Sequence, residues 1–164
     1  MMTHANQLFD QGKSAEAELR FREALAIRKK VSGNEDPLVA VLLSGLGTAL
    51  NRQDKLTDAE TMYRECLTIR EKKLPDMWYT FYTQTLLGGS LFAQKKYADA
   101  EPLLISGYEG INHRQDQLSA GKSQLKEALR RLVQLYEETN RPDEAAKWKQ
   151  KLAELEQPKS EQSK

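Results

Sequence analysis

A single cysteine, Cys66, leaves this chain of 164 residues without an internal disulfide framework. Two histidines, His4 and His113, each stand alone, with no second histidine three or four residues away. A metal site needs several convergent ligands, so neither metal nor cofactor is expected. No apolar run approaches the roughly 18 residues that a membrane-crossing helix needs. The N-terminus, Met1-Met2-Thr3-His4-Ala5-Asn6, has no apolar signal core. A cytoplasmic chain without a membrane role is the resulting expectation. Charge of one sign is missing too. The 25 basic residues face 24 acidic ones, so bulk electrostatics gives no ground for nucleic-acid binding. Arg28-Lys29-Lys30, Arg70-Glu71-Lys72-Lys73 and Lys95-Lys96 fall at helix ends or turns, where positive charge offsets the helix macrodipole. No aromatic platform alternates with them, as single-strand binding favours. Nucleophilic catalysis needs a base beside its nucleophile. Cys66 has no histidine near it in sequence and falls on an apolar helical stripe, so it reads as a buried thiol. The chain is not expected to be an enzyme.

What is present is a recurrence. Ala-Glu stands at 17–18, 59–60 and 100–101, with a looser copy at Ala145-Ala146, in steps of 42, 41 and 45 residues. A fixed period of this size means stacked helical pairs, each burying its apolar face against the next. In the second unit Val39, Leu42, Leu43, Leu46 and Leu50 follow the three-four spacing of one helical face. Asn51 to Lys55 is a polar break, after which Ala59, Met62, Tyr63, Cys66 and Ile69 trace a second face. Two such faces joined by a few polar residues make an antiparallel hairpin. The third unit repeats the plan around a turn at Gln94-Lys95-Lys96-Tyr97, with Ala100, Leu103, Leu104, Gly107, Tyr108 and Ile111 on its second helix. Pro102 is expected in the first turn of that helix, where its missing N–H costs nothing. Trp78 to Thr83 is rich in strand-favouring residues. Leu87, Gly88 and Leu91 nevertheless match Leu46, Gly47 and Leu50 at an offset of 41, so the register predicts a helix.

The spacing predicts helices over 36–53, 56–74, 77–94, 97–116, 122–140 and 142–156. His113 to Ser123 reads as an extended loop. Before them, the helix around Ala17, Phe21, Ala24 and Ile27 follows only a short, weakly apolar segment, Met1 to Gln11. The units are 1–34, 35–75, 76–118 and 119–157, with a polar tail at 158–164. The fold class is all-α: a right-handed superhelical array of about three and a half antiparallel helix hairpins.

These residues resemble the tetratricopeptide repeat. That pattern wants a Leu-Gly pair in the first helix, a large residue three beyond the glycine, then a small residue and an aromatic four later in the second helix. Leu46-Gly47 with Leu50 and Ala59 with Tyr63 supply it in unit two. Leu87-Gly88 with Leu91 and Ala100 with Leu104 supply it in unit three. Unit one keeps Ala17 with Phe21, and unit four is degenerate. The period is longer than the ordinary 34 residues. The expanded form, with Ala-Ile-Arg-Lys-Lys at 26–30 and Thr-Ile-Arg-Glu-Lys-Lys at 68–73, is similar to the repeats of kinesin light chains. Members of that group carry asparagine pairs that grip a peptide backbone, where this sequence has Ser44-Gly45 and Thr85-Leu86. The cadence from Leu86 to Leu152 also resembles the C-terminal repeat tails of bacterial serine/threonine protein kinases, although no kinase motif is present.

The resemblance implies a protein–protein interaction module that binds a protein or peptide segment on its concave face. Two alternatives stand beside it. One is a regulatory or targeting segment of a larger signalling enzyme, such as a bacterial serine/threonine kinase. The other is a self-associating array, joined through an incomplete N-terminal repeat. First helices line the concave face of such an array, and the residues of theirs that face away from the paired helix are the groove candidates. They are Val41, Ser44, Thr48 and Arg52 in unit two, Tyr82, Thr85, Leu86, Gly89 and Phe92 in unit three, and Arg130, Arg131 and Gln134 in unit four. Tyr82, Leu86 and Phe92 are apolar where a solvated face would be polar. With Arg130 and Arg131 they are expected to take a carboxylate-bearing partner.

Overall fold

The computed structural model describes residues 8, 9, 11–114 and 123–157. Seven helices run through them: α1 (Ser14–Ser32), α2 (Pro37–Asn51), α3 (Leu56–Lys73), α4 (Trp78–Ala93), α5 (Tyr97–Asn112), α6 (Ser123–Glu138) and α7 (Pro142–Glu156). The described residues contain no strand. The predicted helices are present, each within a few residues of its expected ends. Most of the segment read as an extended loop, and residues 115–116 of the fourth predicted helix, lie outside the described residues. So do Met1 to Gln7, His4 and the polar tail.

Helices α2 and α3, α4 and α5, and α6 and α7 pair as hairpins, and each hairpin packs on the next. One continuous apolar core runs from Leu8 to Ala145. The small residues set the helix spacing. A Cβ placed on Gly47 would lie 2.7 Å from the Tyr63 ring. Ala59 and Ala100 are fully buried. Cys66 is buried as well, with Sγ 3.1 Å from the Ala40 carbonyl, and burial pushes its thiol pKa up.

The hairpin turns repeat in atomic detail. Lys55 N–H donates to Leu50 O (3.1 Å), Lys96 to Leu91 O (3.0 Å) and Arg141 to Tyr136 O (2.9 Å). Ahead of α1, Lys13 N–H donates to Leu8 O in the same way (2.8 Å). The residue before each donor is left-handed: Gly12, Asp54, Lys95 and Asn140 have φ of 71°, 58°, 60° and 54°. This is the Schellman closure, in which a left-handed residue satisfies the last helical carbonyls. It recurs with the same steps as the Ala-Glu pairs. Leu8 and Phe9 thereby mark the end of the first helix of unit one.

The acid of each Ala-Glu pair has a shared task. Glu18 accepts from Lys55 (2.8 Å) and Gln53 (2.9 Å), which lie in the turn of the next hairpin. Glu60 accepts from Lys96 and Gln94, both at 2.9 Å. Glu101 accepts from Arg141 and from the Tyr136 hydroxyl, both at 2.7 Å. The motif that marks the period therefore links successive units.

Two local features follow their physics. Trp78 to Thr83 is helical because its threonine hydroxyls bond nearby carbonyls, Thr80 to Leu74 O (2.6 Å) and Thr83 to Tyr79 O (2.8 Å), so buried hydroxyls cost little. Pro102 is a correction. Helix α5 starts at Tyr97, so Pro102 sits inside the helix rather than in its first turn. The helix loses its bond to the Ala98 carbonyl there. Ala98 is exposed, on the solvent side of the array.

Candidate functional site

Helices α2 and α4 run side by side along one face, and a groove of about 410 Å³ opens between them. Its α2 wall is Val41, Ser44, Gly45 and Thr48, and its α4 wall is Trp78, Tyr79, Tyr82 and Leu86. Phe9 and Phe21 close one end, and Arg70 reaches in from α3. The α2 wall follows from helical spacing, since positions 41, 44, 45 and 48 share one face. Gly45 is the place where the Phe21 ring from α1 lies against α2, leaving no room for a Cβ. Phe9 stacks on Phe21 at 5.7 Å between ring centroids.

Of the candidate residues read from sequence, Val41, Ser44, Thr48, Tyr82 and Leu86 meet in this groove. The others are placed elsewhere. Thr85 is fully buried against α5, where Gly107 makes room for it. It cannot touch a ligand without the hairpin opening. Phe92, at the far end of α4, packs on Tyr97 with centroids 5.7 Å apart. Arg52 lies over the Phe9 ring at 4.7 Å and donates to the Phe9 carbonyl (3.1 Å). Arg130 is exposed and pairs with Glu156 of α7 (2.9 Å). Gln134 is exposed on α6.

Arg131 bridges helices rather than facing the groove. Its guanidinium lies across Gly89, donating to the Thr85 carbonyl (3.1 Å) and to Glu127. Glu127 also accepts from the Tyr82 hydroxyl (2.6 Å). Burial and the neighbouring Glu127 charge push the Tyr82 pKa upward. The chain Tyr82–Glu127–Arg131 fixes Tyr82 at the edge of the groove and uses the donors that were expected to meet a partner. Sequence reasoning missed Phe9, Phe21, Trp78, Tyr79 and Arg70. The last of these had been read as a helix-end charge, because its turn inward depends on the α3–α4 connection.

Chemically, the described lining offers rings, aliphatic carbons, the hydroxyls of Ser44, Thr48, Tyr79 and Tyr82, and one guanidinium. Thr48 Oγ1 bonds the Ser44 carbonyl (3.0 Å) and lies 3.2 Å from the Tyr63 hydroxyl, whose pKa burial pushes up to about 12. Among the described residues, no histidine, cysteine or carboxylate lines the groove. Its walls are suited to holding a side chain rather than to activating a nucleophile.

Residues 1–72 match the tetratricopeptide repeat family, and the period, hairpins and small-residue contacts extend the same plan beyond them. The chain is an array of helix hairpins, and its first 72 residues carry the family match. Its fold is similar to that of BtubC (BKLC) from P. vanneervenii, with a TM-score of 0.79 at 16% identity, covering 98% of this chain and 65% of that one. The chain thus spans about two thirds of that protein's length. It is also similar to a putative kinesin light chain from Podosopora anserina with nearly identical TPR-like repeats. There the TM-score is 0.78 at 18% identity, with 93% of this chain and 71% of that one covered. No curated protein matches the sequence significantly. Arrays of this fold generally serve as protein–protein interaction scaffolds. No helix among the described residues is long and apolar enough to cross a membrane.

Proposed function

We propose that this array is a protein-binding scaffold that receives a partner segment in the groove between α2 and α4. The observation behind this reading is the groove itself, open to solvent on the face formed by the first helices and walled by aromatic and aliphatic side chains. Exposed apolar concavities with a few placed polar groups are where ligands and partner segments bury their surface. Ser44-Gly45 stands where a backbone-gripping asparagine pair would be, so specificity comes from side-chain pockets rather than from a sequence-blind clamp.

Trp78 lines the groove and Trp148 lies at the other end of the array, against Tyr108 and Tyr136. A Trp148→Phe variant therefore leaves one fluorescent reporter in the groove. A protein recovered from the source cell, or a peptide derived from it, should shift or quench Trp78 emission on binding. Obstructing the groove with Val41→Phe should abolish the response. Binding that leaves Trp78 emission unchanged and tolerates Val41→Phe would overturn this assignment.

A second reading, self-association, has one observation in its favour. Leu19, Ile27 and Val31 are 61%, 55% and 73% exposed along α1. Light scattering should then report a dimer that Leu19→Glu with Ile27→Glu dissociates. A monomer at high concentration would dismiss this reading.

A further inference from the structure

Helix α1 carries an inference that deepens the self-association reading and rests on it. Leu19, Ile27 and Val31 are 61%, 55% and 73% exposed. The repeat supplies its own comparison. At a step of 42 residues, α3 carries exposed Thr61 and Lys73 at the places of Leu19 and Val31. Ile27 does have an apolar equivalent, Ile69. That residue is only 5% exposed, in a cluster with Val39, Ala40, Leu43 and Cys66. Two apolar residues of α1 thus stand where the repeat does not ask for them, and a third stands open where the repeat covers it.

The charges on the same face say what covers it. Glu16, Leu19, Glu23, Ile27 and Lys30 lie within about a quarter turn of one another on a helix of 3.6 residues per turn. Ala17, Phe21 and Ala24 are buried on the opposite side. Glu16 and Lys30 are exposed at the two ends of the stripe and form no ion pair among the described residues. A second α1 laid antiparallel across a two-fold axis at Glu23 sets Leu19 against Ile27 and Glu16 against Lys30, each contact occurring twice. The two Glu23 side chains meet at the axis, each already accepting from its own Arg20 (3.2 Å). A parallel copy would set Glu16 on Glu16 and Lys30 on Lys30, so charge selects the antiparallel pairing. The far end of the array offers no such match. Helix α7 exposes Ala146, Lys147, Gln150 and Lys151, a polar surface on which Leu19 and Ile27 find no apolar partner. A closed two-fold pair is favoured over head-to-tail joining.

We propose that the chain forms a two-fold dimer through antiparallel α1 helices. Among the described residues, Phe21 is the one α1 residue that lines the α2–α4 groove, and it faces away from the stripe. Both grooves therefore stay open. The dimer is a two-site scaffold that holds a partner carrying two copies of its segment more tightly than one groove can. One pair of helices buries less than the roughly 1,600 Å² of a standard interface, so association in the micromolar range is expected.

The test is sedimentation equilibrium of the whole chain at concentrations up to about 1 mM. A dimer is expected. Glu16→Lys and Lys30→Glu, each alone, put like charges at both contacts and should weaken the dimer on the order of tenfold. Mixing the two variants makes both contacts opposite in charge again, so the mixture should regain the native affinity. A short bismaleimide should join two copies of Glu23→Cys but not of Gln150→Cys, while buried Cys66 leaves the native chain unlinked. Circular dichroism of each variant checks that the helices persist. A dimer that both charge variants leave intact, that mixing does not restore, or that links through position 150 instead of 23 would overturn the α1 pairing and leave self-association standing. A monomer at every concentration would remove both.

Discussion

Gly88 is one of the residues at which helices α4 and α5 approach each other closely. A Cβ there would lie 2.8 Å from Cγ of Leu104 and 3.2 Å from the Ala100 carbonyl. The side chain could yield, but the backbone could not. Gly88→Leu should therefore push α4 and α5 apart at a cost of roughly 1–3 kcal/mol, read as a melting temperature lowered by several degrees. An unchanged melting temperature would show that this contact does not set the helix spacing. Lys95 presents the opposite case. Its φ of 60° puts a side chain where glycine is at ease, and Lys95 itself is exposed. A left-handed non-glycine residue costs about 1–2 kcal/mol. Lys95→Gly should accordingly raise the melting temperature by roughly 2–4 °C. No gain would mean that the glycine's added freedom in the unfolded chain cancels the relief. Position 95 was legible from sequence only as a polar turn, because the closing bond from Lys96 N–H to Leu91 O depends on where the helix ends.

Between elements, the units are tied by Glu18, Glu60 and Glu101. The Lys55 ammonium and the Arg22 and Gln53 donors hold the Glu18 carboxyl at about 2, below its ordinary 4.5. Burial alone would raise Glu60, but Lys96, Gln94 and Arg64 outweigh it and bring that carboxyl to about 2 as well. A carboxylate whose pKa falls on folding stabilises the protein above its unfolded pKa. That contribution is lost as pH drops from about 4.5 towards about 2 for both groups. Urea midpoints taken between neutral pH and about pH 3 should fall in this window for the native chain. The double variant Glu18→Gln, Glu60→Gln should start lower at neutral pH and fall less. Parallel curves for the two proteins would show that the links carry no pH-dependent stability. The Ala-Glu spacing was visible in the sequence. Its partners were not, since Lys55 and Lys96 lie 37 and 36 residues away and only the stacking of hairpins brings them close.

At the scale of the molecule, a solenoid holds each unit mainly through its neighbours. Among the described residues, helix α7 packs mainly against α6. In α7 Ala145 alone is fully buried, although Trp148 stacks on Tyr136 and meets Tyr108 edge-on. Helix α4 buries eight residues. Amide exchange should therefore be markedly faster along Pro142–Glu156 than along Trp78–Ala93, as local opening follows local burial. Equal protection of the two helices would show that the array opens as one cooperative unit.

The sequence by itself determined the period, the helices and the apolar faces, because each follows from local spacing and from small residues repeated in register. It also named five groove residues, Val41, Ser44, Thr48, Tyr82 and Leu86, since helical spacing fixes which side chains share a face. Only the tertiary structure decided what those faces meet. Thr85 vanished behind Gly107, and Arg131 crossed Gly89 to Glu127, leaving the groove to Tyr82 and Leu86. Arg70, read from sequence as a helix-end charge, became the one cation lining the groove among the described residues, with Met77 in the capping place that Asp36 holds one unit earlier. A side chain's partner is set by contacts between distant segments, which no local pattern specifies.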